Sequence, residues 1–160
     1  MTDNQCFFCK INKKTKELFW QNKYFKAFFD AYPVTPGHFL IVPQRHIVNF
    51  EELNTDEWSA LKDFILKSKE IALKQNLSMI YQNIIDNHIS DESVNFCRKA
   101  LQSLKNNQHI DAYNYGINDG RAAGRTIDHL HIHVIPRYKG DVINPTGGVR
   151  GVIPQKQNYR

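Results

Sequence analysis

The hydrophobic positions of the chain fall into runs of two different periods. Two short blocks rich in aromatic and β-branched residues, 24–29 (YFKAFF, ending at Asp30) and 38–43 (HFLIVP), flank AYPVTPG, whose Pro33, Pro36 and Gly37 supply turn chemistry. This predicts two antiparallel strands. From residue 54 the period lengthens: Trp58, Leu61, Phe64, Ile65, Ile71 and Ala72 recur at helical intervals. Asn54 or Thr55 can cap that helix, Glu57 completes a capping-box spacing from Asn54, and the pattern runs to about Lys74. The stretch 78–107 is less regular. Within it SDESVNFCRKALQSL has acidic residues in its first turn and Val94, Cys97, Leu101 and Leu104 at spacings of three and four, which predicts a second helix. Residues 110–117, IDAYNYGI, predict a strand, and NDGRAAG a Gly-bounded loop after it. Strict alternation then runs through His129, Leu130, His131, Ile132, His133 and Val134. On a strand this puts all three imidazoles on one face and leaves Leu130, Ile132 and Val134 to pack on helices. The tail from Lys139, with Pro145, Gly147, Gly148, Gly151 and Pro154, reads as an extension, and no internal repeat interrupts the chain.

Composition narrows the class. A chain of 160 residues suffices for one domain with a real core. No apolar run approaches the length of a membrane span, and the first residues, MTDNQCFFCKINKKTK, contain no apolar signal segment, so cytoplasmic residence without a membrane partner is expected. Three cysteines do not make the even-numbered framework of a secreted scaffold; a reducing compartment leaves them as thiols or metal ligands. The net charge of +5 points to an anionic partner, but the Lys and Arg residues are scattered, which fits a solvated surface better than a nucleic-acid footprint.

Two motifs carry chemistry. Neighbouring same-face side chains on a strand stand about 7 Å apart, a spacing suited to several groups contacting one extended anion rather than converging on one metal. A metal site and a merely polar face remain the alternatives for the histidine run. Cys6 and Cys9 in CFFC have the C-x2-C spacing that lets two thiolates reach one zinc, with two more ligands needed from elsewhere. A redox dithiol is the functional rival, although no thioredoxin-like βαβ pattern surrounds the pair, and unliganded thiols are the plain alternative. Cys97 sits on an apolar helical stripe and reads as core, while His88 and His109 read as surface.

The run His129-Leu-His131-Ile-His133-Val-Ile matches the signature of the histidine triad (HIT) family of nucleotide hydrolases and transferases. GINDGRAAGRT is similar to that family's Asn-Asp-Gly...Ala-Gly-Gln-Thr loop, and FFDAYPVTPGHFLIVPQRHI to its paired strands. GDVINPTGGVRGVIPQKQNY resembles the extension of bacterial members of the dinucleoside polyphosphate hydrolase type. The resemblance implies an α+β fold, with an antiparallel sheet of about five strands and helices on one face. It describes one domain over 1–160, with a helical insertion at about 70–108 and a C-terminal extension from about 139.

The resemblance also implies roles. His131 is expected as the nucleophile that attacks an α-phosphorus to form a nucleotidyl-histidine, its other ring proton held by a backbone carbonyl of the triad strand. His133 is expected to contact the phosphate or the bridging oxygen, Asn118, Gly124 and Thr126 to form the phosphate loop, Asp30 to hold the ribose hydroxyls, and His38 to support the triad. His46 of PQRHI and His129 are the positions that complete a Cys2His2 zinc site with Cys6 and Cys9 in members carrying the N-terminal pair; that zinc is structural, and magnesium is expected only as company for the polyphosphate. A homodimer is expected. The implied activity is cleavage of a diadenosine polyphosphate to AMP and the remaining nucleotide. A nucleoside phosphoramidate hydrolase and a nucleotide-binding adaptor are the alternatives; a uridylyltransferase would replace the third histidine with glutamine. Arg125 departs from the family's neutral amide, and its guanidinium is expected either to favour a longer polyphosphate or to face solvent.

Overall fold

The blocks at 24–29 and 38–43 pair as their pattern predicts. In a computed structural model describing residues 5–11, 18–105 and 109–157, β2 (Phe25–Phe29) lies antiparallel to β3 (Phe39–Pro43), in register from Phe25 opposite Pro43 to Phe29 opposite Phe39. With β1 (Leu18–Gln21), β4 (Ala112–Gly116) and β5 (Ile132–Arg137) they form one antiparallel sheet of order β1-β2-β3-β5-β4. Strands β2 and β3 read as nearly continuous apolar runs because both faces are covered. Phe25, Ala27, Phe29, Phe39, Ile41, Ile132 and Val134 enter the main core, whereas Phe28, Leu40 and Val42 pack with Cys6, Phe8 and Ile11 on the opposite face. Each residue of these strands therefore alternates between the helix layer and the layer that carries the chemistry.

Helices α2 (Thr55–Ala72), α3 (Leu77–Asn87) and α4 (Asp91–Leu104) supply Leu61, Phe64, Ile80, Tyr81, Ile84, Cys97 and Ala100 to the main core. The one-turn helix α1 (Phe7–Lys10) belongs to the other face. Asn54 caps α2 by accepting the Glu57 N–H, and Glu57 returns a bond to the Asn54 N–H, the box read from the sequence. Ser90 caps α4 by accepting the Ser93 N–H on its Oγ. The five-stranded α+β architecture is as expected, and among the described residues no helix is long and apolar enough to cross a membrane.

Four details differ from the pattern. Strand β1 and helix α3 were not assigned from it. Helix α3 presents Ile80, Tyr81 and Ile84 inward, but its isoleucines and asparagines are weak helix formers, and its stop is His88 at φ 45° rather than a glycine. Trp58, expected on the inner stripe of α2, is 57% exposed and packs edge-on against Phe50. Finally, the triad strand begins at Ile132, because Leu130 N–H donates to the Ile47 carbonyl at 2.6 Å instead of joining a neighbouring strand.

Helices α3 and α4 lie within the expected 70–108 segment, the last three residues of which fall outside the described set. They are tied to the β2–β3 turn: Tyr81 Oη accepts the Gly37 N–H at 2.6 Å, and Ser93 Oγ donates to the Ala31 carbonyl at 2.7 Å. The helix layer thus fixes the turn that begins at Asp30 and returns at His38.

Candidate active site and metal centre

The two histidines that follow His129 at alternate positions, His131 and His133, point off the sheet face opposite the main helices. His131 Nδ1 lies 2.8 Å from the His129 carbonyl. A carbonyl only accepts, so Nδ1 carries the proton and Nε2 keeps the lone pair. Phe8 packs edge-on against His131, with ring centroids 5.3 Å apart, and the ring is buried. The expected carbonyl partner is present and belongs to the residue two positions earlier.

The proton on His133 can be located by the same reasoning. Val34 N–H, which only donates, lies 3.4 Å from His38 Nδ1, so the His38 proton sits on Nε2. His38 Nε2 is 3.0 Å from His133 Nδ1 and donates to it. The His133 proton is therefore on Nε2, an atom that is buried and has no hydrogen-bond partner. Asp30 Oδ2 stands 3.5 Å from His38 and 4.0 Å from His133 as the nearby negative charge. Burial, assisted by repulsion from His38 and His131, pushes His133 down to about 4, and burial also lowers His38. Both rings are neutral at neutral pH. The result is a lone pair on His131 beside an unsatisfied N–H on His133, their ring centroids 5.2 Å apart.

These rings line a cleft of about 980 Å³ together with Asp30, Asn118 and Thr126. Gly124 does not line it. It closes the turn of the loop at φ +95°, a conformation that favours glycine, and its Cα faces the Asn118 side chain. Arg125 does not face solvent. Its side chain is 12% exposed and turns away from the cleft, donating to the Val48 carbonyl and Asn49 Oδ1 at 3.1 and 3.0 Å, with Asp119 and Asp128 each 3.4 Å away. Here the guanidinium straps the loop to residues 48–49, because two acidic loop residues give it a better environment than solvent.

The first triad histidine serves a different cluster. His129 Nε2 donates to the Pro43 carbonyl at 3.0 Å, which frees Nδ1 to face Cys6 Sγ at 3.4 Å and Cys9 Sγ at 3.5 Å. His46 Nδ1 is 3.3 Å from Cys9 Sγ, and the four donor atoms all lie within 4.8 Å of one another. In a tetrahedron around zinc, sulfur and nitrogen donors stand about 3.6 Å apart. The set fits that ion in donor type, number and spacing. Burial lowers His129 to about 4, so its imidazole is unprotonated and able to ligate. Asp30, His38 and His133 also cluster, but two imidazoles and one carboxylate are not the all-oxygen set that magnesium prefers.

All eleven residues singled out from the sequence thus fall into two adjoining groups, with Gly124 shaping its loop from outside the cleft. Pattern reasoning missed Val34, whose contribution is a backbone N–H that no side-chain motif reveals, and Tyr32 and Phe96, which line the cleft from the turn and from α4. Phe96 carried a readable signal: it is an apolar residue off the inward stripe of its helix.

A HIT domain model matches residues 12–140. A 16.1 kDa HIT-like protein of Mycoplasma pneumoniae is 33% identical over 141 residues, covering 87% of this chain and 76% of its own. The AP-4-A phosphorylase of Mycobacterium tuberculosis is 33% identical over 132 residues, and the asymmetrical bis(5'-nucleosyl)-tetraphosphatase of Schizosaccharomyces pombe is 28% identical over 125. These alignments cover 81% and 78% of this chain, and the chain spans about half, 51%, of each of those two proteins. Among solved structures, a zinc-bound histidine triad family protein from Mycobacterium smegmatis superposes with a TM-score of 0.54 at 23% identity, covering 89% of this chain and 81% of its own, which establishes the shared fold.

The buried neutral state of His133 makes stability depend on pH. Its pKa is about 4 in the folded protein against 6.5 ordinarily, so between those values the unfolded chain binds more protons and stability falls as pH is lowered. Denaturant unfolding from pH 7 to 4 is expected to show this decline, and His133→Gln to make it shallower. Identical slopes in the two proteins would show that His133 does not titrate in this way.

Proposed function

The chain belongs to the HIT domain family, and from that premise we propose that it is a nucleotide hydrolase that transfers a nucleotidyl group to His131 and then to water. The observation that carries this reading is the pairing of the two rings: a histidine with its lone pair fixed on Nε2 beside a buried N–H that lacks an acceptor. An unsatisfied buried donor costs free energy on the order of 1–3 kcal/mol, and a phosphate oxygen is the kind of partner that removes the cost. His131 attacks the α-phosphorus; a nitrogen–phosphorus bond forms as the bridging phosphorus–oxygen bond breaks. His133 holds the departing oxygen with a hydrogen bond from its Nε2–H and keeps its proton, the oxygen leaving with the bonding pair as the anionic terminal phosphate of the remaining nucleotide, with His38 behind it as donor to Nδ1. Asn118, Thr126 and the loop shaped by Gly124 surround the developing charge, and Asp30 accepts from the ribose hydroxyls. Water then cleaves the nucleotidyl-histidine.

The substrate proposed is a diadenosine polyphosphate, yielding AMP and the remaining nucleotide. The names of the mycobacterial and yeast relatives support that substrate class. Phosphorolysis, the activity in the first of those names, differs in the acceptor; turnover in phosphate-free buffer distinguishes hydrolysis from it. We also propose that the chain forms a homodimer.

His131→Ala is expected to reduce turnover by at least about 10³-fold while AMP binding changes by less than about tenfold, because the nucleophile makes the covalent bond but only part of the contact surface. Parallel activity and titration measurements check this. Turnover within tenfold of the parent protein would remove His131 from the mechanism.

Cys6, Cys9, His46 and His129 are proposed to hold a structural zinc that joins the N-terminal segment to the triad. Elemental analysis of protein purified without chelator is expected to find about one zinc per chain, and Cys9→Ser to lose it with a marked fall in melting temperature. Absence of zinc from the parent protein would contradict the assignment.

A further inference from the structure

The turn between Asp30 and His38 is tethered from outside at several points, and the tether nearest the paired imidazoles in sequence comes from α3. Tyr81 is fully buried in the main core, and its Oη accepts the Gly37 N–H at 2.6 Å, one residue before His38. Gly37 has little room to turn toward another acceptor. It sits at φ +81°, and a Cβ built on it would stand 3.3 Å from Pro136 Cγ, so its backbone already lies close against β5. His38 is bonded on both sides within the same turn, its N–H donating to the Thr35 carbonyl at 3.2 Å and its carbonyl accepting the Asp30 N–H at 3.0 Å. The position of the turn is therefore also the position of the His38 ring.

Two groups compete for His38 Nδ1. The Val34 N–H, 3.4 Å away, donates to it, whereas the Asp30 Oδ2 carboxylate oxygen, 3.5 Å away, can only accept from it. While Val34 holds Nδ1, the chain of donors runs from Val34 through His38 to His133 and ends as an N–H on His133 Nε2. With Asp30 on Nδ1 the order reverses: His38 Nε2 becomes the acceptor, His133 Nδ1 must donate to it, and a lone pair ends the chain at His133 Nε2. A lone pair repels a phosphate oxygen that an N–H would hold. The Val34 bond is long, so a small displacement of the turn is enough to lose it.

Resting on the nucleotide reading given above, we propose that Tyr81 is a positioning residue of the reaction: by holding the Gly37 N–H it keeps Val34, rather than Asp30, on His38 Nδ1. It thereby keeps an N–H on His133 for the departing oxygen. Tyr81 acts only through the two imidazoles. Removing its oxygen strands a buried N–H, a cost that is relieved by shifting the turn, and the Val34 bond is the contact that such a shift loses first. The chemical state of the triad is then set in part by α3, far from the histidine motif in sequence.

Nitrogen NMR of the histidine rings in the full chain at neutral pH, assigned with His38→Gln and His133→Gln, reads which nitrogen of His133 carries the proton. The parent is expected to hold it on Nε2. Tyr81→Phe, which keeps a ring in the core but removes the acceptor, should move a measurable share to Nδ1 and lower kcat for diadenosine tetraphosphate about tenfold, with KM changed less than about threefold. Val34→Pro, which removes the competing donor itself at an exposed position, should shift the proton in the same direction even where Tyr81→Phe fails to fold. Ile84→Val takes a methylene from the core on the same helix without touching the turn; it should lower stability and keep the parent's proton order. An Nε2 proton retained in Tyr81→Phe or in Val34→Pro, or the same shift in Ile84→Val, overturns the role of Tyr81 while leaving the nucleotide reading in place. A parent with its proton on Nδ1 also overturns that role. A parent that holds the Nε2 proton but does not cleave diadenosine tetraphosphate overturns the nucleotide reading, and with it any part for Tyr81 in that reaction.

Discussion

A single hydrogen bond sets the chemical state of the site. The His129 carbonyl takes the Nδ1 proton of His131, and everything proposed for His131 follows from the lone pair that remains on Nε2. That bond requires His129 to be held rigidly in an extended segment before the strand proper, where no sheet ladder fixes it. Two other contacts do so. Leu130 N–H is bound to the Ile47 carbonyl, and the His129 ring is bound to the Pro43 carbonyl while it faces the two cysteines. One residue therefore presents its side chain to the metal-type cluster and its backbone to the nucleophile.

The second constraint is charge. Two imidazoles in contact, His38 and His133, are placed where burial holds them neutral, and a neutral pair can share one hydrogen bond only with its protons ordered in sequence. The Val34 N–H starts that order and the unpartnered His133 Nε2 ends it. The order would be lost if His133 were charged, because both ring nitrogens would then donate and Nδ1 could no longer accept from His38. Arg125 shows how the same logic shapes the neighbouring loop. A cation close to the triad is turned outward onto Asp119 and Asp128, which leaves the cleft to groups that can approach an anion without a fixed counter-ion.

The residues that form the site were largely legible in the sequence because they sit at fixed spacings. The alternation of His129, His131 and His133 and the C-x2-C pair survive without knowledge of the fold. What the alternation did not reveal is that His129 lies outside the ladder, since this depends on the Ile47 and Pro43 carbonyls, long-range partners that no local period encodes; its place beside Cys6, Cys9 and His46 was legible only through the family resemblance. Helix α2 and the β2–β3 pair were legible from period, capping and turn residues together. Helix α3 was not, because its apolar spacing is regular but its isoleucines and asparagines argue weakly for a helix and its end is marked by a histidine. Arg125 was legible as a departure but not in direction, which is set by acidic residues three and six positions away.

In the proposed reaction the scissile phosphorus passes through a bond to His131. Cleavage of diadenosine tetraphosphate in heavy-oxygen water, with both products weighed, tests it most directly. If His131 attacks the α-phosphorus, the departing ATP keeps only substrate oxygens and the single solvent oxygen appears in AMP. Label in ATP, or two molecules of ADP as the products, would contradict the account.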